Sequence, residues 1–280
     1  MCDKVKTVLL IGASGFIGKN LKNVLKNQYE VIEFDRKKYS LNQLSNFLVE
    51  NNIDLIINAA GKINGGLNEL KQGNVLIVDK IIAALTKLDS GIRLIHLSSV
   101  SAVNPINNYG FTKSEGEQVI MSSDYKNWTI LRPTLIYGAG DSKNIGSIIK
   151  LASISPVLPV FVGENVKLQP LFVEDLARYI IAIILTNNFN GKAYTVGGPK
   201  QYSLVELVKI IKPSLMIIPI PISFVHLVIK FGKIFLPERF IPFTQISTLD
   251  RQPFHDSTEI KKVCDIEPVL MENVIAKVLN

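Results

Sequence analysis

The stretch that decides the fold reads Val8-Leu9-Leu10-Ile11-Gly12-Ala13-Ser14-Gly15-Phe16-Ile17-Gly18. Four apolar residues in a row predict a buried strand, and the three glycines after them predict a tight turn into a helix. The start of such a helix carries free backbone N–H groups and the positive end of the helix dipole. The stretch therefore predicts a pyrophosphate site, although three glycines after a strand can also form a plain turn.

A second motif, far downstream, reads Tyr109-Gly110-Phe111-Thr112-Lys113 and follows the apolar run Leu94–Leu97 and the pair Ser98-Ser99. A helix places residues four apart on one face, which brings the phenol of Tyr109 and the ammonium of Lys113 together. Taken alone, this spacing is more typical of a solvent-exposed helix face. Next to a dinucleotide site, a serine, a tyrosine and a lysine predict proton transfer coupled to hydride transfer.

Short apolar runs alternate with helical patterns, which predicts parallel βαβ units. We predict strands at Thr7–Ile11, Glu30–Phe34, Leu55–Asn58, Arg93–Ser98, Thr129–Leu131 and Ala193–Val196, and helices at Gly15–Leu25, Leu41–Glu50, Asn74–Leu88, Tyr109–Met121 and Leu171–Leu185. The fold class is α/β, a Rossmann-type doubly wound parallel sheet. Frequent prolines after Gly140 predict a smaller, irregular C-terminal substrate lobe. The expected domains are 1–140 plus 170–198, and 141–169 plus 199–280.

Composition excludes several classes of protein. Of the 280 residues, 47% are hydrophobic, which excludes a disordered chain. Two cysteines, Cys2 and Cys264, predict no disulfide framework and a reducing, cytoplasmic location. The net charge of +7 is scattered, so we expect no nucleic-acid partner. No apolar stretch approaches the roughly 20 residues of a membrane span, and the early first strand predicts that there is no signal peptide.

The segment Phe224–Phe235 is apolar, with Lys230 and Lys233 interspersed. We predict that it packs on the second lobe; the alternative is a basic amphipathic helix that lies on a membrane surface.

Together and in this order, the two motifs closely resemble the extended branch of the short-chain dehydrogenase/reductase superfamily, which contains nucleotide-sugar epimerases, dehydratases and reductases. Further matches are Asn58-Ala59-Ala60-Gly61, Asn74 and the segment that begins at Arg132-Pro133. The resemblance implies a dinucleotide cofactor and no metal site. It implies cofactor contacts by Gly12, Ser14, Gly15, Phe16, Ile17, Gly18, Asp35, Arg36, Ala59, Ala60, Gly61, Asn74, Tyr109, Lys113 and Pro133.

The residues after the second strand bear on the choice of dinucleotide. Asp35 stands where a carboxylate binds the adenosine ribose and repels a 2′-phosphate, which favours NAD. The basic residues Arg36, Lys37 and Lys38 follow at once and could instead hold that phosphate. We therefore predict NAD, with NADP as the alternative. The adenine contact that the family often makes with an aspartate is missing here, or is made by Ser40.

The resemblance also implies the chemistry. Tyr109 would exchange a proton with the substrate oxygen, Lys113 would lower the tyrosine pKa from about 10 and bind the nicotinamide ribose, and Ser99 would hold the oxygen. Ser98 and Ser101 compete for the role of Ser99. Val100 and Ser101 replace the Asp-Glu pair of the 4,6-dehydratases, and the loop 102–108 is short, as in keto-sugar reductases.

These features predict an NAD(P)-dependent reductase of a keto-sugar carried on a nucleoside diphosphate. The alternatives are an NAD-dependent nucleotide-sugar epimerase and a dinucleotide-binding structural subunit without turnover. The sequence Lys167-Leu168-Gln169-Pro170 bears on both, because it lacks the arginine that usually binds the diphosphate. Lys167 could substitute as a point charge. The Gln169-Pro170 pair also resembles the branch that includes an accessory subunit of respiratory complex I.

The resemblance further implies a homodimer, because members of the family commonly pair two helices from each subunit. The corresponding segments are Asn74–Leu88 and Tyr109–Met121. Their apolar residues include Ile77, Ile81, Val119 and Ile120.

Overall fold

The structure is a computed structural model that describes residues 5–88, 91–163, 166–224 and 254–279. Its contacts divide the chain into two compact units. The first unit comprises Met1–Thr134, Val173–Val196 and Asp256–Ile266, and the second comprises Leu135–Phe172, Gly197–His255 and Glu267–Asn280. The expected domain boundaries differ chiefly near the C-terminus, where residues 256–266 belong with the first unit.

The described residues of the two units form the following strands and helices, numbered along the chain. The strands are β1 (Thr7–Ile11), β2 (Glu30–Glu33), β3 (Leu55–Asn58), β4 (Arg93–Leu97), β5 (Trp128–Pro133), β6 (Leu135–Tyr137), β7 (Val157–Val162), β8 (Lys167–Leu168), β9 (Pro170–Phe172), β10 (Lys192–Val196), β11 (Tyr202–Ser203) and β12 (Met216–Pro221). The helices are α1 (Phe16–Leu25), α2 (Leu44–Glu50), α3 (Leu67–Lys71), α4 (Ile77–Leu88), α5 (Asn108–Met121), α6 (Ile145–Ile154), α7 (Val173–Leu185), α8 (Leu204–Ile211), α9 (Thr258–Lys261) and α10 (Met271–Leu279). Short 3-10 turns at Leu41–Gln43 and Val100–Ala102 and a π-helical turn at Gln72–Leu76 complete the described elements.

A parallel six-stranded sheet forms the centre of the first unit, with the order β10-β5-β4-β3-β1-β2. This is the doubly wound α/β sheet that the alternating pattern predicts, and the fold class is confirmed. The chain passes from β2 at one edge across β1 to β3. Ligands bind at such a reversal of strand order, beyond the carboxyl ends of the strands. Gly12 follows β1 and Ala59 follows β3 at this point.

Most predicted elements differ from the observed ones by one or two residues at their ends. The helix predicted at Leu171–Leu185 is wrong at its start, because Leu171 and Phe172 pair with Ile136 and Tyr137 as strand β9. The helix predicted from Asn74 is too short, since the chain is already helical from Leu67. Local sequence did not reveal either feature, because strand pairing and a π-helical turn depend on neighbouring elements.

The core of the first unit contains apolar residues from several helices. Ile77 and Ile81 of α4 are fully buried there, as is Ile120 of α5. The expectation that these residues contribute to a dimer interface is therefore wrong, because they pack inside their own unit. Val119 is partly buried at the edge of the same core.

The second unit is built from small pieces, in keeping with its prolines. Among the described residues it contains three two-stranded sheets, β6-β9, β7-β12 and β8-β11. Phe224 is exposed, but residues 225–253 lie outside the described part of the chain, and so does the rest of the predicted amphipathic segment. No described helix combines the length and apolar character that a membrane crossing requires.

Candidate active site

The turn after β1 requires glycine at two positions. Gly12 has a φ of 87°, and a Cβ there would lie 2.6 Å from the backbone nitrogen of Ala60. At Gly18 a Cβ would lie 2.2 Å from the Gly12 carbonyl oxygen, so glycine lets α1 pack directly on the turn. The turn closes with a hydrogen bond of 3.1 Å from the Gly15 N–H to the Gly12 carbonyl. Gly12 thus lets the turn after β1 pack closely against the backbone that follows β3.

Helix α1 begins without a side-chain cap. Its N-cap is Gly15, no described side chain accepts a hydrogen bond at this end, and its first turn contains no acidic residue. Ser14 is exposed, while Phe16 and Ile17 are partly buried. The first N–H groups of a helix have no partner within the helix. They therefore remain available to an anion, which is what a dinucleotide pyrophosphate needs.

The end of β2 carries the residues that bear on the ribose. The Phe34 N–H donates to the Leu10 carbonyl, and the exposed Asp35 and Arg36 follow. The Asp35 carboxylate accepts a hydrogen bond of 2.9 Å from the Lys37 N–H, which fixes the local turn. Ser40 belongs to a capping box with Gln43, so its hydroxyl already serves the helix that follows.

The end of β3 is held by a buried side-chain pair that sequence reasoning missed. The Asn58 Oδ1 accepts from the Ala60 N–H at 3.1 Å, and its Nδ2 lies 3.0 Å from the His96 Nδ1. Because the amide nitrogen is a donor, Nδ1 is the acceptor and the His96 proton lies on Nε2. That Nε2 has no partner among the described residues. Burial and the nearby Lys113 charge hold the pKa of His96 well below its usual range, so the ring is neutral.

Asn74 lies in the π-helical turn and is fully buried. Its Oδ1 accepts from the Lys62 N–H at 2.8 Å, while its Nδ2 donates to the Lys62 carbonyl and to the Thr112 hydroxyl. Both of its N–H donors are therefore used inside the protein. This side chain holds the backbone after Gly61 against α5, and the cofactor contact assigned to it stays a prediction.

Ser99, Tyr109 and Lys113 come together at the carboxyl end of β4. Ser99 caps the 3-10 turn by accepting from the Ser101 N–H at 3.2 Å, and its side chain forms a hydrogen bond with Tyr109. Lys113 is buried, and its Nζ donates to the Leu97 carbonyl at 2.7 Å. The hydroxyl of Ser98, the neighbouring candidate, is buried without a hydrogen-bond partner in the described structure.

The charges of this cluster depart from one expectation. Burial raises the pKa of Tyr109, and its hydrogen bond with Ser99 opposes the increase. The net result is a raised tyrosine pKa and not the lowered one expected from Lys113, because burial is the largest influence. The Lys113 ammonium donates to the Leu97 carbonyl. Burial lowers the pKa of Lys113 to about 8, and the charge of Glu117 opposes this decrease.

Glu117 and Arg132 form an ion pair that sequence reasoning also missed. The Arg132 Nε on β5 lies 3.0 Å from both carboxylate oxygens of Glu117 on α5. Glu117 is only 2% exposed. The available signal was the spacing of four residues from Tyr109 to Lys113 and again to Glu117. Pro133, the last predicted cofactor contact, is buried at the end of β5, directly after Arg132.

The second unit holds the segment 167–170, in which Lys167 is the candidate for a diphosphate contact. Lys167 is exposed on β8, whereas Gln169 is buried. The Gln169 amide donates to the carbonyls of Gly198 and His255 and accepts from the His255 N–H. Within the described residues, no group of His, Cys, Asp and Glu side chains could hold a metal ion.

Comparisons with known proteins place the chain in a family and show which solved structures share its fold. Residues 8–197 match the NAD dependent epimerase/dehydratase family. The chain is 28% identical over 211 residues to a ceramide reductase of Caulobacter vibrioides, covering 66% of this chain and 62% of the relative. It is 28% identical over 200 residues to dTDP-4-keto-6-deoxy-D-glucose reductase of Streptomyces niveus, covering 63% and 68%. A crystal structure of dTDP-glucose 4,6-dehydratase from Bacillus anthracis in complex with NAD has a TM-score of 0.76 at 17% identity, covering 98% of this chain and 95% of that one, and shows the shared fold.

Proposed function

Because this chain belongs to the NAD dependent epimerase/dehydratase family, within the extended short-chain dehydrogenase/reductase superfamily, we propose that it is an NAD(P)-dependent reductase of a nucleotide-activated keto-sugar. A nicotinamide dinucleotide is the cofactor of the family, and the residues here fit it. Gly12 and Gly18 leave room for a backbone cradle, and the uncapped α1 N-terminus presents donors to the pyrophosphate.

The observation that carries the proposal is the cluster of Tyr109, Ser99 and Lys113. When bound, the reduced dinucleotide supplies a hydride to a carbonyl carbon. Ser99 holds the carbonyl oxygen, and Tyr109 donates its proton to that oxygen as negative charge develops there. Lys113 stabilises the phenolate that remains and binds the nicotinamide ribose.

Two features favour reduction over the other reactions of the family. Val100 and Ser101 follow Ser99, and neither side chain can act as the acid or base that eliminates water. The Streptomyces niveus relative is a keto-sugar reductase by name. The epimerase alternative needs the dinucleotide to stay bound through the cycle, whereas a reductase exchanges it at each turnover.

The structural-subunit alternative rests on Gln169. In the segment where the nucleotide-sugar enzymes usually have an arginine, the Gln169 side chain is buried and its hydrogen bonds go to Gly198 and His255. Diphosphate binding would then depend on the exposed Lys167 as a point charge. The presence of Ser99, Tyr109 and Lys113 favours the enzyme, because a purely structural protein has no use for a proton-transfer group.

We propose that NAD(H) binds more tightly than NADP(H). The Asp35 carboxylate is exposed at the end of β2, where it would repel a 2′-phosphate. Calorimetric titration with NADH and NADPH tests this. Tighter binding of NADPH would assign the site to Arg36 and its lysine neighbours.

The enzyme proposal is tested with Tyr109→Phe. We expect turnover of the substrate to fall by about 10²–10⁴-fold, with dinucleotide affinity unchanged, because only the proton donor is lost. Tyr125→Phe is the matched control, since the Tyr125 hydroxyl is buried without a hydrogen-bond partner in the described structure. The substrate panel contains nucleoside-diphosphate keto-sugars and, because of one relative, ceramide-related ketones.

The results distinguish the three hypotheses, the reductase, the epimerase and the structural subunit. Full turnover by Tyr109→Phe would refute the acid/base role. Native mass spectrometry that finds NAD tightly held in the purified protein would favour the epimerase. A parent protein that binds NADH but turns over no member of the panel would favour the structural subunit.

We also propose a homodimer in the cytoplasm. Val75, Leu76 and Val119 line a shallow groove between the π-helical turn and α5, bordered by Lys71 and Asp79. The scarcity of cysteines fits a reducing compartment. A monomeric mass by light scattering at micromolar concentration would rule out the dimer.

A further inference from the structure

Glu117 is a buried charge that the proposed reaction does not itself use. It lies on α5, one helical turn beyond Lys113, and is 2% exposed. Arg132 on β5 holds both carboxylate oxygens from its Nε at 3.0 Å. Burying two charges costs desolvation that a pair of apolar side chains avoids. Stability alone therefore does not explain why this buried ion pair is present.

The position of Glu117 on the helix suggests that purpose. Tyr109, Lys113 and Glu117 follow one another at intervals of four, so they share one face of α5. The Lys113 ammonium is buried, and the atom to which it donates, the Leu97 carbonyl oxygen at 2.7 Å, is neutral. An ammonium in this position loses hydration and needs a nearby negative charge to stay protonated.

The other groups around Lys113 do not supply this charge. His96 on β4 is neutral, because burial and the lysine charge hold its pKa well below the usual range. Asn74 in the π-helical turn is uncharged. Tyr109 has a raised pKa and is neutral in the ordinary pH range. Arg132 is positive, but the oxygens of Glu117 engage its guanidinium.

We propose that Glu117 is a positioning residue for Lys113: its carboxylate, held in place by Arg132, keeps the lysine protonated and directed to its role at the dinucleotide ribose. This inference rests on the proposed function in assigning that role to Lys113. The electrostatics of the site agree, since burial lowers the pKa of Lys113 to about 8 while the Glu117 charge raises it.

The test measures dinucleotide affinity against pH, without any turnover. We expect the affinity of the parent protein for NADH to fall as Lys113 loses its proton. In Glu117→Gln the lysine pKa is lower, so this fall moves to lower pH by about one unit or more. Near the acidic end of the range, at about pH 6, both proteins have a charged lysine and equal affinity. Isothermal titration calorimetry from about pH 6 to about pH 9.5 covers the transition.

Glu115→Gln is the matched control, because Glu115 lies on the same helix and pairs on the surface with Lys71. It removes the same charge away from the site, and its pH profile is expected to match the parent. Glu117→Gln leaves Arg132 without its partner and can fail to fold. The double variant Glu117→Gln with Arg132→Gln removes both charges, and an acidic displacement of its profile relative to the parent supports the proposal.

Lys113→Met separates this inference from the proposed function. If Lys113→Met binds NADH as the parent does at every pH, the ribose role of Lys113 is wrong and the proposed function fails. If Lys113→Met weakens binding while Glu117→Gln and the double variant keep the parent profile, Lys113 has its role and the inference about Glu117 is overturned.

Discussion

Two helices of this protein begin in opposite ways. Helix α8 of the second unit begins after Ser203, whose hydroxyl accepts from the Glu206 N–H at 3.1 Å while the Glu206 carboxylate accepts from the Ser203 N–H at 2.6 Å. Helix α1 of the first unit begins after Gly15, with no side-chain cap from the described residues. Both helices follow a strand. One helix start is closed by side-chain hydrogen bonds, and the other leaves its first N–H groups without a cap, as the proposed pyrophosphate site requires.

Buried polar side chains differ in how far their hydrogen-bonding capacity is used. In the second unit the amide of Gln169 is bonded to the backbone of Gly198 and His255. In the first unit the Ser98 hydroxyl and the His96 Nε2 are buried, and no described group bonds to either atom. An unpaired buried polar group costs about 1–3 kcal/mol.

The largest expected effect comes from closing the turn at the open helix start. Gly12→Ala adds a Cβ that would lie 2.6 Å from the Ala60 nitrogen, at a residue with a φ of 87°. The unfavourable backbone costs about 1–2 kcal/mol, and the steric overlap adds about 1–3 kcal/mol. We expect the free energy of unfolding to fall by the sum of the two costs and NADH binding to be lost.

Gly91→Ala is the matched control for that variant. Gly91 also has a positive φ, 67°, but a Cβ there meets nothing within 4 Å. Denaturant unfolding should show only the backbone cost of about 1–2 kcal/mol for Gly91→Ala, with unchanged NADH binding. Equal losses of stability in the two variants would contradict the close approach of the turn to β3.

An intermediate effect is expected when a side-chain N-cap is introduced at the start of α1, because stability and NADH affinity should change in opposite directions. Gly15→Asp provides an N-cap side chain at a residue with an ordinary φ of −74°. Unfolding free energy should stay the same or rise by a few tenths of a kcal/mol, while NADH affinity falls at least about tenfold, because a carboxylate now occupies the anion site. Gly15→Asn caps without charge and should lose less affinity. Unchanged NADH affinity in Gly15→Asp would show that the pyrophosphate binds elsewhere.

The smallest effect is expected at the closed helix start. Ser203→Ala removes the cap of α8, so the free energy of unfolding should fall by about 1 kcal/mol. NADH affinity should not change, because this cap serves only the second unit. Thermal and denaturant unfolding measure the first quantity and calorimetry the second. A loss of NADH affinity without a loss of stability would reverse the contrast between the two helices.

The residues that the sequence marked as candidates belong to motifs formed by neighbouring residues. Gly12, Tyr109 and Lys113 stood out because a turn and a helix face are formed by neighbouring residues. Glu117 was missed because its partner, Arg132, lies 15 residues away on a different element. His96 was missed because it stands within an apolar run and because its partner, Asn58, is 38 residues away in the chain.

The sequence by itself therefore determined the α/β class, the glycine turn and the parallel βαβ units, and it supplied the proton-transfer side chains as a prediction. Tertiary structure alone decided that Leu171 and Phe172 form a strand, that Ile77, Ile81 and Ile120 are core residues, and that the buried Lys113 ammonium donates to the Leu97 carbonyl. The physical reason is the separation along the chain of the residues that interact. Hydrophobic periodicity and turn geometry are local, whereas burial and charge interactions sum over groups that only the folded chain brings together.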